Sequence, residues 1–86
     1  MKILNFKPRN VGSVVGTFSV EMPSGMLLHE CSLMHSGERE WINPPQRQYE
    51  VNGEKKYAKL VDFISRDRKD AWESMVMAAL REGGHV

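Results

Sequence analysis

Between Val14 and Met22 the chain alternates, with Val14, Gly16, Phe18, Val20 and Met22 on one side and Val15, Thr17, Ser19 and Glu21 on the other. A period of two is the mark of a strand with one buried face. Upstream, Ile3, Leu4 and Phe6 form a short apolar run that Pro8 is expected to close, and Gly12-Ser13 opens the alternating segment. Pro23-Ser24-Gly25 joins a fixed φ to a permissive glycine, which predicts a turn and an antiparallel return over Met26 to Met34. Ser36-Gly37 predicts another turn, Glu40 to Asn43 a short strand, Asn52-Gly53 a tight turn, and Tyr57 to Phe63 the last strand. In that last strand Tyr57, Lys59, Val61 and Phe63 oppose Ala58, Leu60 and Ile64, so both faces are expected to be partly covered.

After Ile64 the period changes. Trp72, Met75, Val76, Ala79 and Leu80 recur at three and four, which predicts a helix to about Glu82, with Met77 off the main stripe and exposed. Ser65 is the expected N-cap, Asp67 complements the macrodipole in the first turn, and Gly83-Gly84 permits a left-handed stop. Arg68 stands where a capping box would need Glu or Gln. The pattern as a whole predicts an α+β fold: a small antiparallel sheet of about four to five strands with one C-terminal amphipathic helix, a single domain over residues 1–86.

Composition narrows this picture. At 86 residues the core is thin, and 12 Lys+Arg against 11 Asp+Glu leave no global field for a polyanion, so any attraction must come from local clustering. The single cysteine, Cys31, excludes an intrachain disulfide and fits a reducing cytoplasm. The opening residues carry no apolar run long enough for a signal peptide, and no run of membrane-spanning length occurs, so a cytoplasmic protein is expected.

Clustering is found in the middle of the chain. Within Trp41-Ile42-Asn43-Pro44-Pro45-Gln46-Arg47 the two prolines fix φ and lack N–H donors, so the backbone after Ile42 must leave the sheet in an extended form. Arg47 is then displayed, and a hairpin around Asn52-Gly53 brings Lys55 and Lys56 within a few residues of it. Arg66, Arg68 and Lys69 oppose the helix dipole at roughly 0.3–1 kcal/mol each, which structural convenience does not explain. Against this, the cations of the hairpin simply solvate a loop, and those of the helix pair with Asp62, Asp67, Asp70 or Glu73.

Other chemistry is weakly supported. His29, Cys31 and His35 fall on the same side of one strand, but an extended strand spreads three such ligands too far to close around one ion. Cys31 and Leu33 are expected in the core and His29 at a polar margin. No orienting group accompanies the cysteine, Glu38 and Glu40 sit beside a turn, and no phosphate-cradling glycine loop occurs. No catalytic residue, metal or cofactor is assigned. Most of the six methionines are expected to fill the core.

The order of these features resembles the SpoVG (stage V sporulation protein G) family from about Val14 to Leu80. Leu28-His29-Glu30-Cys31 resembles the family's Val-His-Asp-Ile-like strand, with Glu30 in place of the usual Asp and Ser32 where a basic residue is common. Trp41 to Arg47 resembles its Phe-Val-x-Met-Pro-Ser-Arg-like motif, with Pro45 and Arg47 matching and Pro44 and Gln46 departing. Gly53 matches the turn glycine, Ser65 the cap, Lys69 the helix's basic residue, and Trp72 and Val76 its apolar face, while Phe63 replaces a proline. The resemblance implies a divergent, dimeric DNA- or RNA-binding regulator of bacterial type.

Two functions follow as expectations. In the first, a homodimer binds nucleic acid through phosphate contacts from Arg47, Lys55, Lys56, Arg66, Arg68 and Lys69, with Tyr49 placed to stack on an unpaired base. Unpaired sheet edges favour the dimer independently. In the second, the protein is an interaction module whose strand edge, or Trp41-Ile42-Pro44-Pro45 surface, receives an extended peptide.

Overall fold

The Pro23–Gly25 and Gly37 turns fold the first half of the chain into a meander. A computed structural model describes residues 1–86. Strands β1 (Lys2–Val11), β2 (Val14–Glu21), β3 (Leu27–Ser36) and β4 (Arg39–Asn43) form one antiparallel sheet in sequential order. Strands β5 (Gln46–Val51) and β6 (Glu54–Lys59) form a separate two-stranded ribbon, and α1 (Arg66–Glu82) follows. The expected α+β fold is present, with its strands divided four and two between two sheets.

Three expectations change. β1 does not stop at Pro8, because β1 is an edge strand and a residue without an N–H is tolerated there. The last strand ends at Lys59, and Val61 and Phe63 belong to the connection that leads into the helix. Met77 is half-buried against the core while Met75 is exposed, because the buried helix stripe is Trp72, Val76 and Leu80, at steps of four.

That stripe packs on Phe18, Val20, Cys31, Leu33 and Ile42, which point from the three strands β2, β3 and β4 toward the helix. Burying each large side chain contributes about 1.5–3 kcal/mol, so these eight residues carry most of the hydrophobic stabilisation. The helix begins as expected: the Ser65 side chain accepts from the Arg68 N–H at 3.3 Å. It ends in a Schellman arrangement, with Gly84 at φ +75°, the Gly84 N–H on the Arg81 carbonyl and the His85 N–H on the Leu80 carbonyl. This return lays the His85 ring on Phe6 at 4.5 Å, and Phe6 in turn covers Gly16, where a side chain would collide with the ring.

Two bulges distort the sheet on either side of Ser19. Between the Leu4↔Ser19 and Lys7↔Thr17 pairs β1 has an extra residue, with Asn5 at φ +55°. Between Phe18↔Cys31 and Val20↔Leu28 the extra residue is in β3, with Glu30 at φ +60°. The second bulge reverses part of the expected strand pattern. Cys31 stays in the core while His29 turns to the opposite face and shares a 2.9 Å hydrogen bond with Ser19, so the two are not on one side. No three His, Cys, Asp or Glu side chains gather as a metal site, and no helix is long and apolar enough to cross a membrane.

The β4 edge is closed by a side chain. The Ile42 N–H, which points away from β3, donates to Glu73 Oε1 at 2.7 Å. Glu73→Ala leaves this buried donor without an acceptor and is expected to lower stability by about 1–3 kcal/mol, whereas Glu73→Gln keeps an acceptor and loses less. Urea midpoints at constant m-value measure the difference, and equal losses would remove the hydrogen bond from the account.

Candidate nucleic-acid interface

Where β4 ends, Pro44 and Pro45 carry the backbone off the sheet edge. Pro45 is buried and its carbonyl accepts from the Leu60 N–H at 3.3 Å, so the two legs of the ribbon are tied at their base. Beyond that tie, every ribbon residue but Ala58 is exposed. The ribbon packs along neither the sheet nor the helix, and the radius of gyration, 13.4 Å, exceeds the roughly 12 Å of a compact chain this long.

Asn52 at φ +52° and Gly53 at φ +80° form the two-residue turn that sets the ribbon's register. Val51 pairs with Glu54, Tyr49 with Lys56, and Arg47 with Ala58, and paired residues share a face. One face therefore carries Arg47, Tyr49 and Lys56. The other carries Lys55, Tyr57 and Lys59, with Glu50 opposite Lys55. Each face presents one exposed tyrosine between cations. Four basic residues against Glu50 and Glu54 leave the ribbon at a formal +2 in a chain of +1.

The expected site residues thus form three groups. Arg47, Tyr49 and Lys56 come together, Lys55 lies on the reverse face, and Arg66, Arg68 and Lys69 sit in the first turn of α1. Arg66 is within 3.9 Å of Asp70, and Lys59 within 3.9 Å of Asp62, both pairs being solvent-exposed and weak. Arg47, Lys55, Lys56, Arg68 and Lys69 take part in no ion pair. Lys69 and Lys59 border the same cleft, of about 110 Å³, between the ribbon base and the helix start, with Asp62 beside them. Lys59 lies beside the site residues at the ribbon base, opposite Gln46, where the expected strand from Tyr57 to Phe63 would not end.

Beside the helix start the charges are mixed, with Asp70 and Glu73 sharing a pocket with Arg66 and Lys69 and Arg81 joining the acids of the next trough. Glu38, Glu40, Asp70 and Glu73 line a trough of about 570 Å³ along the β4 edge and α1, and there Arg39 lies over the Trp41 ring, 5.4 Å from its centroid. Ile42 and Pro45 are buried, so of the Trp41-Ile42-Pro44-Pro45 segment only Trp41 and Pro44 remain partly open.

Comparison of the chain with protein-family models, with curated proteins and with solved structures returns no match.

Cys31 lies in the core, its thiol 3.9 Å from the Leu28 carbonyl oxygen. Burial pushes this thiol from an ordinary 9.0 up to about 11, which removes the thiolate that nucleophilic chemistry requires. The unfolded chain ionises its thiol first, so this stabilisation is complete below pH 9.0 and is lost as pH rises to about 11. The stability difference between wild type and Cys31→Ala is therefore expected to shrink over that interval in urea titrations. A difference that stays constant would show that the thiol is not shielded.

Proposed function

We propose that this protein binds single-stranded DNA or RNA through the β5–β6 ribbon and acts as a nucleic-acid-binding regulator of the SpoVG-like type. The observation that carries the reading is the ribbon itself: an exposed, net positive arm with Tyr49 and Tyr57 set between cations on its two faces. Cations that track a backbone, interleaved with aromatic rings on which bases stack, suit a single strand without demanding a particular sequence. Arg47 offers a planar fork to one phosphate and Lys56 a mobile charge to the next. On the reverse face Lys55 and Lys59 flank Tyr57, and Lys69 at the foot of the ribbon continues that second row toward the helix start.

The β4-edge trough, with four carboxylates against Arg39 and Arg81, is a poorer approach for a polyanion than the net positive ribbon. A solvated hairpin has no need of an exposed aromatic ring on each face, and an isolated two-stranded ribbon is marginally stable in water. Its shape is therefore better accounted for by a partner than by folding.

The functional unit in this reading is a homodimer. Ile64 is 96% exposed and Leu60 59% exposed, two aliphatic side chains in the short connection between ribbon and helix. Both edges of the ribbon are unpaired along their length. A second copy that covers these groups also brings a second ribbon to the strand.

Binding is measured by fluorescence anisotropy of a labelled oligothymidylate at several salt concentrations. Arg47→Ala/Lys56→Ala is expected to weaken binding to unrelated sequences alike and to reduce the salt slope by about 1.4 units, two phosphates' worth on a single strand. Tyr49→Ala is expected to cost about 1–3 kcal/mol while leaving that slope unchanged. A full slope in the double variant would reject the ribbon as the contact. For the dimer, light scattering of Ile64→Asp is expected to give half the wild-type mass, and a wild-type protein that is monomeric at all concentrations would refute it.

A further inference from the structure

The face of the four-stranded sheet turned away from the helix carries a second constellation, which no residue of the ribbon or helix lines. It is a trough of about 650 Å³ between the two bulges. Across it, register places Lys7 of β1, Thr17 of β2 and Ser32 of β3 in one row. Arg9 lines the trough farther along β1, and Ser19 and His29 form its next row.

Three features separate this trough from an ordinary solvated sheet face. Its floor is made of short hydroxyl side chains, Thr17, Ser19 and Ser32, so the long cations of β1 stand over a depression. Ser19 is only 7% exposed, and its 2.9 Å bond to His29 Nδ1 holds the imidazole while Nε2 keeps no protein partner. Finally, Asn5 and Glu30 occupy left-handed backbone conformations on both sides of Ser19, which asparagine tolerates but which strains glutamate by about 1–3 kcal/mol. Bulges of this kind re-aim side chains, and here the second one turns His29 into the trough.

The donors are of one kind. Lys7 and Arg9 are exposed and in no ion pair, and hydroxyls and an imidazole complete the set. A ligand held by two cations, with hydroxyl donors converging from beneath, is compact, anionic and rich in acceptor oxygens. We propose that this trough binds a phosphate group, with Arg9 and Lys7 neutralising its charge and Thr17, Ser32 and His29 donating to its oxygens. Glu30, also on the trough, opposes the ligand's charge and weakens its binding. The site is independent of the ribbon, and the group belongs either to the end of a nucleic-acid strand or to a free phosphate ester.

Amide chemical shifts of the intact chain, titrated with inorganic phosphate against sodium chloride of equal ionic strength, test this. Thr17, Ser19, His29 and Ser32 are expected to shift along a saturating curve that chloride does not reproduce. Lys7→Ala/Arg9→Ala is expected to weaken that binding about tenfold or more, as loss of charge-assisted hydrogen bonds requires. Glu30→Gln is expected to tighten it several-fold, a gain that damage to the fold would not produce. Shifts equal to those in chloride, or an affinity unaltered in both variants, would overturn the site. A 5′-phosphorylated oligothymidylate that moves the trough amides more strongly than its unphosphorylated form or thymidine monophosphate assigns the strand end. A monophosphate that is at least as effective assigns a free ester. Shifts confined to residues 46–59 with the oligonucleotide, and none in the trough with any phosphate, would overturn this inference while leaving the ribbon reading intact.

Discussion

Two prolines without N–H groups decide the shape of this protein. Once Ile42 has paired with Leu33 and given its outward N–H to Glu73, Pro44 and Pro45 offer no donor to continue the β3–β4 ladder. The chain must leave, and Gln46 to Lys59 then pairs with itself around Asn52-Gly53. Had a residue with an N–H continued β4, Arg47 and Tyr49 would lie along the sheet beside the first half of β3 and not on a free arm. The proline break therefore sets the ribbon, with its excess of cations, free of the sheet.

Much of this was legible in the residues because the signals are local. The alternation from Val14 to Met22, the glycine turns, the Ser65 cap and the glycine stop each depend on a few neighbouring residues, and each element stands where those residues put it. The Asn-Gly pair even implies the ribbon's register, since a two-residue turn requires Val51 to face Glu54, and every later pair follows by counting. The apolar residues Leu60, Val61 and Phe63 instead prolong the strand pattern past Lys59, where the ribbon ends. Phe63 is apolar for another reason, since it packs on Trp72 with 5.4 Å between ring centres, while Leu60 stays 59% exposed.

What was hidden is long-range. Nothing near Glu30 in sequence announces a left-handed residue, since glutamate rarely adopts that conformation; the bulge exists because β2 and β3 must both place apolar side chains on one helix. One extra residue moved His29 from the side of Cys31 to the side of Ser19, and with it created the hydroxyl-floored trough. A strict period of two cannot reveal such a site. The split of the site cations between the ribbon's two faces and the helix start is likewise a matter of pairing, not of the number of charges.

The ribbon is expected to be the least protected part of the molecule when free, because its hydrogen bonds are solvent-exposed and no core lies beneath it. Hydrogen exchange of the intact protein with and without a single-stranded oligonucleotide is for that reason the most direct measurement. Binding through the ribbon predicts slower exchange at residues 46–59 on adding the strand, with the sheet interior unchanged. Ribbon amides that exchange at the same rate in a saturated complex would contradict it.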